Sequence, residues 1–133
     1  MNNVDIMKAL YQSFGAGDIP AVLGGMSPNI EWREAEGNPY KPDGQPFVGP
    51  DAILQNLFVK LGQDWDGFTV TPHSFLDAGD AVVVEARYTG KYKATGRDLD
   101  AQVCHVWKLE NGKVTSFQQY TDTAQIQHVM GQG

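Results

Sequence analysis

Residues 77–125, DAGDAVVVEARYTGKYKATGRDLDAQVCHVWKLENGKVTSFQQYTDTAQ, read as three long strands joined by tight turns and followed by the start of a helix. The alternation has period two. Val82, Val84, Ala86 and Tyr88 fall on one side of the first strand, and Val83, Glu85 and Arg87 on the other. In the second strand Val103, His105, Trp107 and Leu109 alternate with Gln102, Cys104, Val106 and Lys108. In the third, Phe117, Gln119 and Thr121 alternate with Gln118 and Tyr120. The segments DAGD (77–80) and ENGK (110–113) are short hairpin connections. A His, a Trp and a Gln thus share one face with apolar residues, as polar groups inside a cavity would.

Upstream the period changes. Ile6, Met7, Leu10, Tyr11 and Phe14 follow helical spacing over residues 4–14, and Gly15 and Gly17 end that helix. Asp18 is placed to cap a short helix over 19–23, with Pro20 in its first turn. NIEWREAE (29–36) alternates as a strand with Ile30, Trp32, Glu34 and Glu36 on one side. Residues 37–49 hold three prolines and three glycines and read as a loop. Pro50 then opens a third helix whose buried stripe is Ile53, Leu54, Leu57, Phe58 and Leu61. A further strand is predicted over 68–77, and Asp122 is placed to cap a short C-terminal helix. Helices first and strands afterwards argue for an α+β fold with a mostly antiparallel sheet. One face of that sheet must cover the core, and the other is expected to be partly buried by a second copy of the chain.

Composition bounds the function. At 133 residues the chain is the size of one domain, spanning 1–133. A formal charge of −6 disfavours nucleic acid and anionic membrane surfaces as partners. No apolar run is long enough to cross a bilayer, and the N-terminus lacks the pattern of a secretory signal. The single Cys104 cannot form an internal disulfide, so a cytoplasmic protein is expected. There is no zinc-type Cys/His cluster and no glycine-rich phosphate loop, so no metal and no cofactor are expected.

Three segments carry a resemblance: YQSFGAGDIPAVLGGMSPNIEW (11–32), FVGPDAILQNLF (47–58) and AQVCHVWKLENGKVTSFQQYTDT (101–123). In order, spacing and turns the chain resembles the nuclear transport factor 2-like superfamily, nearest its SnoaL-like and ketosteroid-isomerase-like branches. The resemblance implies a cone-shaped α+β barrel, a strongly curved sheet wrapped round three helices of the N-terminal half, paired into a homodimer through the outer sheet face. It is unspecific for activity, because this fold hosts isomerases, cyclases, hydrolases, dehydratases and pure binding proteins. The isomerases' general base falls on Glu34, their oxyanion-hole acid on His105 and their oxyanion-hole tyrosine on Leu10. The His of the SnoaL-like cyclases also falls on His105. Their Asp has no counterpart, since Gln119 sits near that position and Asp122 beyond it.

The expected function is that of a SnoaL-like, cofactor-independent isomerase or cyclase moving a proton on an apolar carbonyl compound that is polyketide-, terpenoid- or steroid-like. Glu34 shares a strand face with Trp32, where loss of water raises a carboxyl pKa and suits a base near neutral pH. His105 would be the acid or polariser. Trp32, Phe14, Tyr40, Phe58, Trp65, Val84, Tyr88, Trp107, Phe117 and Gln119 are expected to bind the substrate, with Tyr40 and Trp65 at the mouth. A Glu34–His105 pair across the pocket is a further expectation. The alternative is a non-catalytic protein of the same fold that holds a hydrophobic ligand. In the plainer readings Glu34 is a strand end in solvent, or is paired with Arg33 or Lys41, His105 is a hydrogen-bonded core residue and the aromatics are simply core.

Overall fold

The computed structural model describes residues 2–132. The chain runs α1 (Asn3–Gly15), α2 (Ile19–Gly24), β1 (Met26–Arg33), β2 (Phe47–Val48), α3 (Pro50–Ile53), a π-helical turn (Leu54–Phe58), α4 (Val59–Asp64), β3 (Trp65–Asp77), β4 (Ala81–Tyr92), β5 (Asp98–Glu110), β6 (Lys113–Thr121) and α5 (Thr123–Val129). The expected capping residues act as read. Asp18 accepts from the Ala21 N–H and Asp122 from the Gln125 N–H, each satisfying a donor at a helix start.

All six strands form one sheet in the order β2-β1-β6-β5-β4-β3. Every neighbouring pair is antiparallel except β1 and β6, which run parallel. The sheet is curved and unclosed, with the helices of the N-terminal half packed into its concavity. The inner faces are those the alternation indicated: Val82, Val84, Ala86 and Tyr88 on β4, Val103, His105, Trp107 and Leu109 on β5, and Phe117 and Gln119 on β6 are all buried. Val82, Val84, Trp107, Leu109 and Phe117 share a core with Met7, Leu10 and Tyr11 of α1, Val22 of α2, and Ile53 and Leu57 of the middle helix, the continuous helical stretch from α3 to α4, whereas Ala86, Tyr88 and Val103 share a second one with Trp65, Leu99 and the Ile126 and Val129 of α5.

Three local features depart from the sequence reading. The middle helix is interrupted by a π-helical turn, a wider turn that is found often at functional sites. The proline-rich segment contains β2, which pairs with Glu31 and Trp32 at the sheet edge. Finally, β1 stops at Arg33, so Ala35 is buried and Glu36 exposed, the reverse of a continued alternation. Among the described residues no helix is long and apolar enough to cross a membrane.

The β3–β4 ribbon carries an irregularity between Asp66 and Thr69, where the two backbones come unusually close. A Cβ at Gly90 would stand 3.1 Å from the Phe68 Cα. Backbone cannot swing aside as a side-chain tip can, so Gly90→Ala is expected to destabilise the protein by about 1–3 kcal/mol, read from the urea midpoint.

Candidate functional site

The concave face of the sheet and the helices enclose a cavity of about 70 Å³. Its walls are chiefly apolar. Leu10 and Phe14 come from α1, Leu57, Phe58 and Leu61 from the middle helix, and Phe68 and Val70 from β3. The polar lining consists of Tyr11, Glu34, Asn38, Tyr40, Tyr88, His105 and Gln119, with the indoles of Trp32, Trp65 and Trp107. Glu34 and His105, distant in sequence, therefore meet around one hollow.

Glu34 lies just past the end of β1 and is 8% exposed. The cations near it in sequence are engaged elsewhere, Arg33 with Glu31 and Lys41 with Asp43. Burial without a cationic partner raises its pKa from 4.5 to about 7. The Trp32 indole N–H opposes that shift from nearby. It does not reach hydrogen-bond geometry, because Trp32 Nε1 and Glu34 Oε2 are both buried without a partner. An unmatched donor and an unmatched carboxyl oxygen on one cavity wall form a rare arrangement, since buried polar atoms are nearly always paired.

His105 is mid-strand and 4% exposed. Its Nδ1 lies 2.5 Å from the Tyr11 hydroxyl and its Nε2 lies 2.6 Å from the Tyr88 hydroxyl. Tyr11 also accepts from the Trp107 indole N–H at 2.9 Å. Tyr88 accepts from Gln119 Nε2 at 2.9 Å. The Gln119 Oε1 in turn accepts from the Ala35 N–H and from Asn38 Nδ2. A chain of hydrogen bonds therefore crosses the site from Trp107 to the segment following β1. Desolvation lowers the His105 pKa from 6.5 to about 3 and keeps the ring neutral. Burial pushes both phenols well above their ordinary range.

This neutrality has a consequence for acid stability. The His105 pKa is lower in the folded chain, so the stabilisation is complete above pH 6.5 and is lost as pH falls from there toward 3. His105→Gln is expected to flatten that acid limb in thermal melts taken between pH 3 and 7, whatever its effect at neutral pH.

The Tyr40 hydroxyl donates to Asp64 at 2.8 Å and accepts from the Trp65 indole N–H at 2.9 Å. This ties the loop after β1 to the end of α4. Trp65 is the first residue of β3 and buried, not part of a loop.

The cavity gathers Glu34, His105, Trp32, Phe14, Tyr40, Phe58, Trp65, Tyr88, Trp107 and Gln119. Val84 and Phe117 are corrections: both are in the core behind the wall, Phe117 stacked on Trp32 at a centroid distance of 3.7 Å. The expected direct pairing of Glu34 with His105 is also absent, because both imidazole nitrogens are engaged by phenols. Tyr11 and Asn38 were missed. Tyr11 sits one residue beyond Leu10, so the helix brings a hydroxyl into the site although the aligned position is aliphatic. Its signal was available in the apolar stripe of α1, where Tyr11 is the one residue with a hydroxyl. Asn38 carried no signal, because loop geometry has no period. Cys104 lies on the opposite strand face, where Arg87 pairs with Asp100 across the β4–β5 ladder. Among the described residues no group of three or more His, Cys, Asp or Glu could hold a metal ion.

The SnoaL-like domain family model matches residues 7–117. Among solved structures, an NTF2-like protein from Burkholderia thailandensis E264 is 34% identical, with 98% of each chain covered and a TM-score of 0.92. TerC, co-crystallised with polyporic acid, is 26% identical over 97% of this chain and 98% of its own, with a TM-score of 0.84. A protein with a ketosteroid isomerase-like fold from Catenulispora acidiphila, in complex with trimethylamine, is 17% identical over 96% and 93%, with a TM-score of 0.77. No curated protein matches the chain.

Proposed function

Because the chain belongs to the SnoaL-like domain family, we propose that it is a cofactor-independent isomerase or cyclase that moves a proton on an apolar, carbonyl-bearing ring compound of polyketide, terpenoid or steroid type. One observation carries this reading: the Glu34 carboxyl, buried on a cavity wall with an unpartnered oxygen and a pKa raised to about 7. A carboxyl poised there is ionised in a large fraction of molecules at neutral pH, yet basic enough to take a proton from carbon next to a carbonyl. It returns the proton to a second carbon. The Trp32 N–H beside it lacks a protein acceptor and can donate to a polar group of the ligand. Trp107, Tyr88 and Phe58 give the cavity flat apolar walls that suit rings. His105 acts on the ligand through its two phenols, since neither ring nitrogen is free. The co-crystallisation of TerC with polyporic acid supports a small-ligand site in this group of proteins.

We also read the outer sheet face, where Tyr120 and Leu76 are exposed, as the seat of a homodimer of single-domain chains working in the cytoplasm. The rival reading, a protein that holds a hydrophobic ligand without reacting, rests on the same apolar walls. The test is the exchange of deuterium from heavy water into the carbon next to the carbonyl of 2-tetralone, followed by proton NMR. Exchange above the buffer rate that rises through pH 7 supports the enzyme. Binding of 2-tetralone with no added exchange replaces it by the binding protein.

A further inference from the structure

The chain of hydrogen bonds through His105 has one proton more than its contacts need. Gln119 is fixed in orientation, because its Oε1 accepts from the Ala35 N–H at 3.1 Å and from Asn38 Nδ2 at 2.9 Å. Its Nε2 can then only donate, and it does so to Tyr88. The Trp107 indole likewise can only donate, and it does so to Tyr11. Each phenol oxygen thus already accepts one bond from a fixed donor. Between the phenols lies His105, surrounded by Tyr11, Tyr88, Trp107, Phe117 and Gln119. None of these carries a charge, and Glu34 is the one acidic or basic residue besides His105 among the lining residues described. Burial without a carboxylate contact holds the imidazole neutral, with a single N–H.

The two contacts of the ring, at 2.5 and 2.6 Å, need two protons. Three are available: two phenolic O–H groups and one imidazole N–H. If Nε2 carries the proton, it donates to Tyr88, Tyr11 donates to Nδ1, and the Tyr88 O–H is left without an acceptor. If Nδ1 carries it, Tyr11 is the one left over. Neither hydroxyl has another acceptor among the described residues, and both residues line the cavity.

We propose that the site always presents one phenolic O–H to an oxygen of its ligand, and that the tautomer of His105 selects whether Tyr11 or Tyr88 supplies it. This deepens the proton-transfer reading by naming the donor to the carbonyl or enolate oxygen, and it makes His105 a positioning residue. The two states interconvert when one phenol gives a proton to the cavity and the other takes one back. No proton is gained or lost overall. A ligand with an acceptor oxygen near one phenol and a hydroxyl near the other completes that circuit, taking one proton and giving one back. The recognised class is therefore an apolar ring with oxygen groups against the Tyr11 and Tyr88 phenols and a further polar group against Trp32 and Glu34.

The test is nitrogen NMR of the histidine rings in the full chain, with His105 assigned among the three histidines by His105→Gln. The wild-type His105 ring is expected to be neutral from pH 5 to 8, and saturation with 4-nitrophenol is expected to change its tautomer ratio. Tyr11→Phe removes the partner of Nδ1 and is expected to give the Nε2–H form, while Tyr88→Phe gives the Nδ1–H form. Each single variant keeps one free O–H, so 4-nitrophenol affinity changes by less than about threefold. The double variant loses about tenfold, the size of one hydrogen bond. An imidazolium ring at pH 7, the same tautomer in both variants, or ring signals indifferent to 4-nitrophenol would overturn the proposal. Should the variants not fold, the wild-type ring charge and its response decide alone. None of these readings needs turnover, so a failed 2-tetralone exchange leaves them standing, and their failure leaves Glu34 as the base untouched.

Discussion

Glu34→Gln is expected to abolish deuterium exchange into 2-tetralone while making the protein more stable at alkaline pH. The amide keeps the shape of the carboxyl and removes its proton chemistry, which for a positioned general base accounts for about 10²–10⁴ in rate. The stability change follows from the direction of the pKa shift. The folded chain holds Glu34 at about 7 and an unfolded one at 4.5, so the folded state favours the protonated form. That contribution is complete below pH 4.5 and is lost as pH rises through about 7. Moving a carboxyl over that interval corresponds to about 3 kcal/mol, a large fraction of a small domain's stability. Because both proteins keep the His105 acid limb below pH 6.5, the readout is their difference: the melting temperature of Glu34→Gln is expected to rise relative to wild type as pH goes from 5 to 8. A simple structural glutamate would show the reverse, with the variant the less stable protein at pH 8. Unchanged exchange in Glu34→Gln would end the assignment of Glu34 as base. The rate and the melt together separate a base from a residue that merely packs.

What the sequence disclosed and what it hid divide along a physical line. Period-two alternation placed His105, Trp107, Gln119 and Tyr88 on the inner face, because a one-residue slip would have sent Val82, Val84 and Phe117 into solvent. The caps at Asp18 and Asp122 were legible because an orphaned N–H at a helix start needs a short acceptor side chain. Glu34 was placed by the family resemblance and by an alternation that set it beside Trp32, although β1 itself ends at Arg33. Beyond Arg33 the pattern ends, and with it the power to say that Ala35 turns inward and Asn38 reaches Gln119. The π-helical turn at Leu54–Phe58 left no mark in the spacing of apolar residues, since Leu57, Phe58 and Leu61 fit an ordinary helix as well. Tyr11 was counted as core. Its contacts with His105 and Trp107 join residues 94 and 96 positions apart, and no local pattern encodes that meeting. The same limit applied to Val84 and Phe117: the alternation gives the face, whereas distance from the cavity depends on the curvature of the sheet.

The largest loss of stability in the site is expected from Gln119→Leu. The two side chains are similar in size, so the change leaves little void and tests the polar contacts. Gln119 Oε1 is the acceptor for the Ala35 N–H and for Asn38 Nδ2, and its Nε2 donates to Tyr88. Leucine would leave two donors buried and unmatched, each at about 1–3 kcal/mol, against a gain of about 1–2 kcal/mol from the added apolar surface. A net destabilisation of about 2–4 kcal/mol follows, read from thermal or urea unfolding. The local effect discriminates further. Asn38 also accepts from the Tyr40 N–H, and Tyr40 ties the loop to Asp64 and Trp65. Releasing Gln119 therefore frees the segment from Ala35 to Tyr40, and amide exchange there should speed up by more than in β4 or β5. Asn38→Ala removes one of the two donors and should show a smaller loss with the same local pattern. If Gln119→Leu is as stable as wild type and its Ala35 amide stays protected, the buried amide is not what holds the loop over the cavity. The one free phenolic proton would then have no fixed donor behind it at the Tyr88 end, because the orientation of Gln119 is what forces Tyr88 to accept.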